Sequence, residues 1–177
     1  MLLFLVRHAH AVPRGRWEGP DLDRPLDDKG RRQAAAVAAH IGERLDGDPP
    51  PLVVASPAVR CVDSVAPLAQ HYGIPVGTDA RLLEIAEVDA DSRPDPEDAV
   101  TWLADRLCDV VDDALAAGSG KGGVVICTHG QVLPPGIARI VDGVDLDAAV
   151  EHNDKGGFWV TVIEDGRCES AEYVGAP

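Results

Sequence analysis

Two histidines in this sequence sit where a short apolar run gives way to a polar cluster. Leu2 to Val6 ends at Arg7-His8, and Gly123 to Cys127 ends at Thr128-His129. A third run, Leu52-Val53-Val54-Ala55, ends at Ser56-Pro57, with Arg60 close behind. A neutral imidazole can attack phosphorus and carry the phosphoryl group as phosphohistidine, which splits one difficult step into two. An unperturbed histidine, with a pKa of about 6.5, supplies that neutral form near neutrality. The transferred group keeps its negative charge, so such a site needs fixed cations around it. Arg7 beside His8, and Arg60 near the start of a following helix, are suited to this because the guanidinium fork matches two phosphate oxygens at once.

Apolar runs that end in polar clusters read as buried parallel strands with function at their carboxyl ends. Helices are expected between them. Gly30 to about Leu45 carries Ala34, Val37, Ala38, Ile41 and Leu45 on one face. After Ser56 as N-cap and Pro57 at the first helical position, Val62, Val65, Ala66, Ala69 and Tyr72 form the apolar side of a second helix. A third spans Pro96 to about Ala117, and a fourth is expected to follow Gly130 as far as Val141. Gly118 to Gly123 reads as a turn, and Phe158–Ile163 with Cys168–Val174 reads as a terminal hairpin around Asp165-Gly166. Residues 9–29 and 79–96 lack periodicity and read as long functional loops. Strands alternating with helices imply an α/β fold, a three-layer sandwich whose mostly parallel sheet has helices on both faces, in a single domain over residues 1–177. In such sheets, sites gather beyond the carboxyl ends of the strands.

The bulk properties bound the possible partners. The chain has 177 residues, a net charge of −14 and 45% hydrophobic residues. A surface this acidic disfavours nucleic acid and anionic membranes, so no such partner is expected, and phosphate binding would require cations gathered in one place. No apolar stretch is long enough to span a bilayer and no secretory signal pattern precedes Arg7. Cys61, Cys108, Cys127 and Cys168 are widely spaced, without a zinc-like grouping, and fit reduced thiols in a cytoplasmic protein.

Taken in order, four segments resemble a known family. Leu5-Val6-Arg7-His8-Ala9 is similar to the R-H-G/A signature of the histidine phosphatase (phosphoglycerate-mutase-like) superfamily. Leu26-Asp27-Asp28-Lys29-Gly30 resembles its L-x-x-x-G turn, Ser56-Pro57-Ala58-Val59-Arg60 its S-P-x-x-R segment, and Thr128-His129-Gly130 its second-histidine motif. The resemblance implies a phosphoglycerate-mutase-like fold and a phosphatase with no metal or organic cofactor. Its substrate would be a phosphorylated small molecule or a phosphoprotein. It further implies that His8 is the nucleophile and that Arg7, Arg60 and His129 hold the phosphoryl oxygens. Glu84 would be the general acid, with Glu87 as second choice. Asp23-Arg24-Pro25-Leu26 resembles an element of the short phosphohistidine-phosphatase-like branch, which would bring Arg24 to the phosphate. The loop Arg14-Gly15-Arg16-Trp17 is also similar to the phosphatase half of bacterial proteins that fuse a Nudix domain to this fold, although no Nudix signature is present.

Other readings compete. His8 and His10 face the same way on a strand and could ligate a metal, with His129 or His152 as further ligands. Gly118–Gly123 superficially resembles a phosphate loop, but Gly122 stands where Ser or Thr is required, and the segment precedes a strand. A phosphoglycerate-mutase-type transferase would need to keep water from the phosphoenzyme, and this chain has only short insertions with which to do so. A phosphate-binding module without turnover would keep the arginines and dispense with the chemistry of His8.

Overall fold

A computed structural model describes residues 1–50, 52–118 and 122–176. Six strands form one sheet: β1 (Leu2–Arg7), β2 (Leu52–Ala55), β3 (Gly77–Thr78), β4 (Gly123–Thr128), β5 (Phe158–Glu164) and β6 (Arg167–Val174). Their order is β3-β2-β4-β1-β5-β6. The first four in that order run parallel, and β5 and β6 are antiparallel additions at one side. Five α-helices accompany the sheet: α1 (Asp28–Leu45), α2 (Val59–Tyr72), α3 (Ala99–Ala117), α4 (Leu133–Ile140) and α5 (Leu146–Glu151).

The unbroken apolar runs of β1 and β4 are explained by burial on both faces. Phe4 and Val6 point to the layer of α1 and α2, where they meet Val37, Ile41, Val65 and Leu68. Leu3 and Leu5 point the other way, to Leu103, Leu107, Leu133 and Ile137 of α3 and α4. The parallel register then brings the strand ends level. Arg7 pairs with Thr128, and Ala55 pairs with Cys127. His8, His129 and Ser56 are therefore the first residues beyond three adjacent strands.

Local chemistry fixes the segments that leave this edge. Asp27 caps α1 by accepting from the Gly30 backbone N–H at 2.9 Å. Its other oxygen lies 2.6 Å from His10 Nδ1. Gly30 packs so tightly on the His10 carbonyl that any β-carbon there would collide with it. Close approach of two backbones thus accounts for the glycine of the Leu26–Gly30 turn.

Several boundaries differ from expectation. The cap of α2 is Ala58, not Ser56, because the Ser56 hydroxyl is engaged by His129 at 2.8 Å. Helix α3 begins at Ala99, not Pro96, and α4 begins at Leu133. The two-residue β3 and the six-residue α5 were not foreseen, since neither is long enough to show a period. The Gly118–Gly123 turn falls partly outside the described residues. The terminal hairpin turns at Asp165 and Gly166 with φ of 50° and 74°, the left-handed pair that suits the twist of the flanking strands. Among the described residues, no helix is long and apolar enough to cross a membrane.

Candidate active site

His8 is held by the end of β1 and is 4% exposed. Its backbone N–H donates to the Thr128 carbonyl at 2.9 Å. Its Nδ1 lies 2.8 Å from the Ala9 carbonyl oxygen. A carbonyl only accepts, so Nδ1 carries the hydrogen and Nε2 presents its lone pair. Burial, reinforced by the charges of His129, Arg60 and Arg7, pulls the His8 pKa from 6.5 down to about 3. The ring is therefore held in its neutral form near neutral pH.

The His129 ring lies 5.4 Å from that of His8, edge to face. It has no solvent exposure. Its Nε2 is 2.8 Å from the Ser56 hydroxyl, and its Nδ1 is 3.2 Å from Glu84 Oε1. Burial pulls its pKa down, but Cys61, Glu84 and Glu87 outweigh burial and raise it to about 9. Burial also pushes the Cys61 thiol well above its ordinary range, so that sulfur is uncharged at neutral pH. Of the groups around the ring, the two glutamates carry negative charge at neutral pH and favour its protonated form. Glu84 is depressed to about 2, chiefly by its hydrogen bond from His129.

Arg60 lies in the first turn of α2 and is completely buried. One terminal nitrogen donates to the Asp21 carbonyl at 2.8 Å, and the other is bound by Glu87. Asp21 also holds Arg24 at 2.7 Å. Burial alone would raise Asp21, but Arg24 and Arg60 keep it below its ordinary value. Arg7 is anchored through one terminal nitrogen to the Asn153 carbonyl. The buried Nε of Arg7 and the buried Nε of Arg60 have no acceptor among the described residues. Two such donors beside the His129 imidazole leave hydrogen-bonding capacity of the kind an oxyanion takes up.

Of the expected site residues, the structure brings His8, His129, Glu84, Arg7 and Arg60 to one place. Arg24 joins them through Asp21 and also donates to the Val12 carbonyl at 3.0 Å. Glu87 is nearly buried at 3% exposure and is spent on Arg60, whereas Glu84 keeps 27% exposure. That contrast favours Glu84 as the group open to a leaving oxygen. Sequence reasoning missed Asp21, Ser56, Ser64 and Asn153 as supports. Ser64, which accepts from the Ala9 N–H at 2.8 Å, carries only the weak signal of a polar residue on the buried face of α2.

His8, Glu84 and His129 could each offer a ligand atom within 4.8 Å of the others. His10 is drawn away by Asp27, and His152 packs on Trp159 and Tyr173. His129 is already engaged by Ser56, Glu84 and Arg60, and the cations Arg7 and Arg60 lie close by. The donor set suits an anion better than a cation.

The opposed histidines make stability depend on pH in both directions. His8 titrates at about 3 folded and 6.5 unfolded, so stability falls as pH drops below 6.5. Glu84 adds to that loss below its ordinary 4.5. His129 titrates at about 9 folded and 6.5 unfolded, so its contribution is complete below 6.5 and lost as pH rises through 9. The expected melting temperature therefore peaks near pH 6.5, and His129→Asn flattens the alkaline limb while also softening the acid limb, because Glu84 loses the partner that depresses it. A scan of melting temperature against pH checks this.

Gly130 has a separate role. A β-carbon there would sit 2.5 Å from the Arg7 guanidinium carbon, the movable end of a side chain. Gly130→Ala is expected to leave melting within a few degrees while displacing Arg7. Phosphate affinity should then fall roughly tenfold, as for loss of one charge-assisted contact. Phosphate titration of both forms would reveal it.

Comparison with known proteins adds the following. The family profile of the histidine phosphatase superfamily (branch 1) matches residues 3–99. An 8-oxo-(d)GTP phosphatase of Mycolicibacterium smegmatis is 31% identical over 175 residues, covering 99% of this chain and 48% of that protein. The chain thus spans about half the length of this curated relative. Among solved structures, a mycobacterial glucosyl-3-phosphoglycerate phosphatase superposes with a TM-score of 0.71 at 22% identity, covering 99% of both chains. A protein of Agrobacterium tumefaciens assigned as a phosphohistidine phosphatase gives 0.67 at 20% identity, covering 99% of this chain and 98% of that one. At these identities the structures bear on the fold, which they share with this chain.

Proposed function

Because this chain belongs to the histidine phosphatase superfamily (branch 1), we propose that it is a metal-independent phosphatase working through a phosphohistidine on His8. The observation that carries this reading is the locked tautomer of His8. Its Nδ1–H is committed to the Ala9 carbonyl, leaving the Nε2 lone pair free on a ring that feels the charges of His129, Arg60 and Arg7.

Substrate phosphate docks against Arg7, Arg60 and His129, with Arg24 held nearby by Asp21. Its oxygens take the free Nε–H groups of the two arginines. In the unliganded site Glu84 is ionised. A phosphate dianion seated on His129 replaces that stabilising partner with negative charge and pushes the Glu84 pKa up, so that it can hold a proton. His8 Nε2 then attacks phosphorus, the bond to the leaving oxygen breaks, and Glu84 protonates that oxygen. In the second step water attacks the phosphohistidine and gives its proton to Glu84. The P–N bond breaks and inorganic phosphate leaves.

Phosphomonoesters and phosphohistidine are the proposed substrates. The name of the mycolicibacterial relative adds nucleoside phosphates as a class to screen early. The four cysteines, all free, are compatible with a cytoplasmic setting.

The test is release of phosphate from a generic aryl phosphate in the presence of EDTA. Undiminished turnover is the expected outcome. Turnover lost to EDTA and restored by a divalent metal would overturn the reading and return attention to the cluster of His8, Glu84 and His129.

A further inference from the structure

We propose that a cleft adjoining Arg7 is a second phosphate site, so that the preferred substrate carries two phosphoryl groups. This rests on the reading of His8 as the phosphoryl acceptor. The cleft has a volume of about 530 Å³ and is lined by Arg7, His10, Lys29, Gln33, Asp154 and Lys155.

The charge here runs against the rest of the molecule. The chain carries −14 overall and contains three lysines, two of which line this one cleft. Among the described residues, neither lysine nor Arg7 makes an ion pair, although the other arginines at this edge, Arg24 and Arg60, both do. Burial lowers the Lys155 pKa, and the like charges of Arg7 and Arg24 push it the same way. Two carboxylates, Asp154 and Asp27, stand beside these cations, fewer than the cations present, and each also has a hydrogen-bond partner of its own. Asp154 accepts from the Tyr173 hydroxyl at 3.3 Å, and Asp27 is taken by His10 and the Gly30 N–H.

The cations are also held in place. Lys29 lies in the first turn of α1, where the helix dipole disfavours a positive charge. A residue that breaks a local rule in this way is expected at a functional position. The Gln33 amide donates to the Lys155 carbonyl at 2.9 Å, and the Gly156 N–H donates to the Arg7 carbonyl at 3.2 Å. The Lys155 loop is thereby tied to the end of β1. Arg7 has a buried Nε without an acceptor and belongs to both sites. One phosphoryl group would face His8 while the other rests between Lys29 and Lys155.

Calorimetry with orthophosphate and pyrophosphate as probes tests this without requiring turnover. The wild-type protein is expected to bind pyrophosphate roughly 100-fold more tightly than orthophosphate, about tenfold for each lysine. In Lys29→Ala/Lys155→Ala that advantage should disappear while orthophosphate affinity changes less than about twofold. Lys29→Arg/Lys155→Arg should restore most of it. Equal affinity of the wild type for both anions, or an advantage that survives the double alanine variant, would contradict the second site. Tight pyrophosphate but no orthophosphate binding would instead count against the phosphate cradle at His8 and leave the lysine cleft supported. Binding of neither anion would overturn both.

Discussion

His8→Ala is expected to lower kcat for aryl phosphate hydrolysis by roughly 10⁴-fold or more, the scale seen when a covalent nucleophile is removed. No neighbouring side chain is free to take over, because His129 is engaged by Ser56 and Glu84, and Glu87 by Arg60. The same variant should show an opposite effect on stability in acid. The fold holds His8 neutral down to a pKa of about 3, so wild type loses stability below pH 6.5 on its account. The alanine variant lacks that burden and should lose less stability than wild type between pH 6.5 and 4. Phosphate release and thermal melting at several pH values read the two effects separately. A variant that keeps a tenth of the wild-type kcat would remove His8 from the chemistry.

Arg60→Ala should be the most damaging single change to the fold as well as the site. Arg60 is fully buried, its Glu87 partner is nearly so, and Asp21 completes the cage. Removing one member of a buried pair leaves the other charge without compensation, at a cost of about 3–5 kcal/mol. For a chain of this size that corresponds to a melting temperature lower by on the order of 10 °C. Activity should fall as well, because in the proposed mechanism Arg60 donates to a phosphate oxygen. Arg60→Lys should recover little, because a single ammonium cannot reach Asp21, Glu87 and phosphate as the guanidinium fork does. Arg60→Ala/Glu87→Gln should melt higher than Arg60→Ala alone while remaining inactive. That separation of stability from activity distinguishes the charge cage from the phosphate contact.

The legible part of this site is the part that strands dictate. His8, Ser56 and His129 each follow an apolar run, and a parallel register leaves such residues side by side whatever the intervening sequence does. The glycine at position 30 was legible as part of a turn, but its reason, contact with the His10 carbonyl, appears only when the loop folds back on α1. Ser56 misled because a serine before proline satisfies the rules for a helix cap, whereas here a tertiary hydrogen bond from His129 claims the hydroxyl. Glu84 and Glu87 could not be told apart along the chain. They sit in one acidic, aperiodic segment, and only packing exposes the first and buries the second against Arg60. Lys29 and Lys155 stand 126 positions apart in the numbering, so nothing local could have joined them.

A covalent bond between phosphorus and His8 can be trapped directly. Wild-type protein would be mixed with an aryl phosphate, denatured within the first turnover, and digested for mass spectrometry under alkaline conditions that preserve phosphohistidine. One phosphoryl group is expected on the peptide that contains His8, absent from His8→Ala and accumulating in Glu84→Gln when the leaving group needs no proton. Turnover by wild type with no phosphorylated His8 peptide at any quench time, or with the phosphate on another residue, would contradict it.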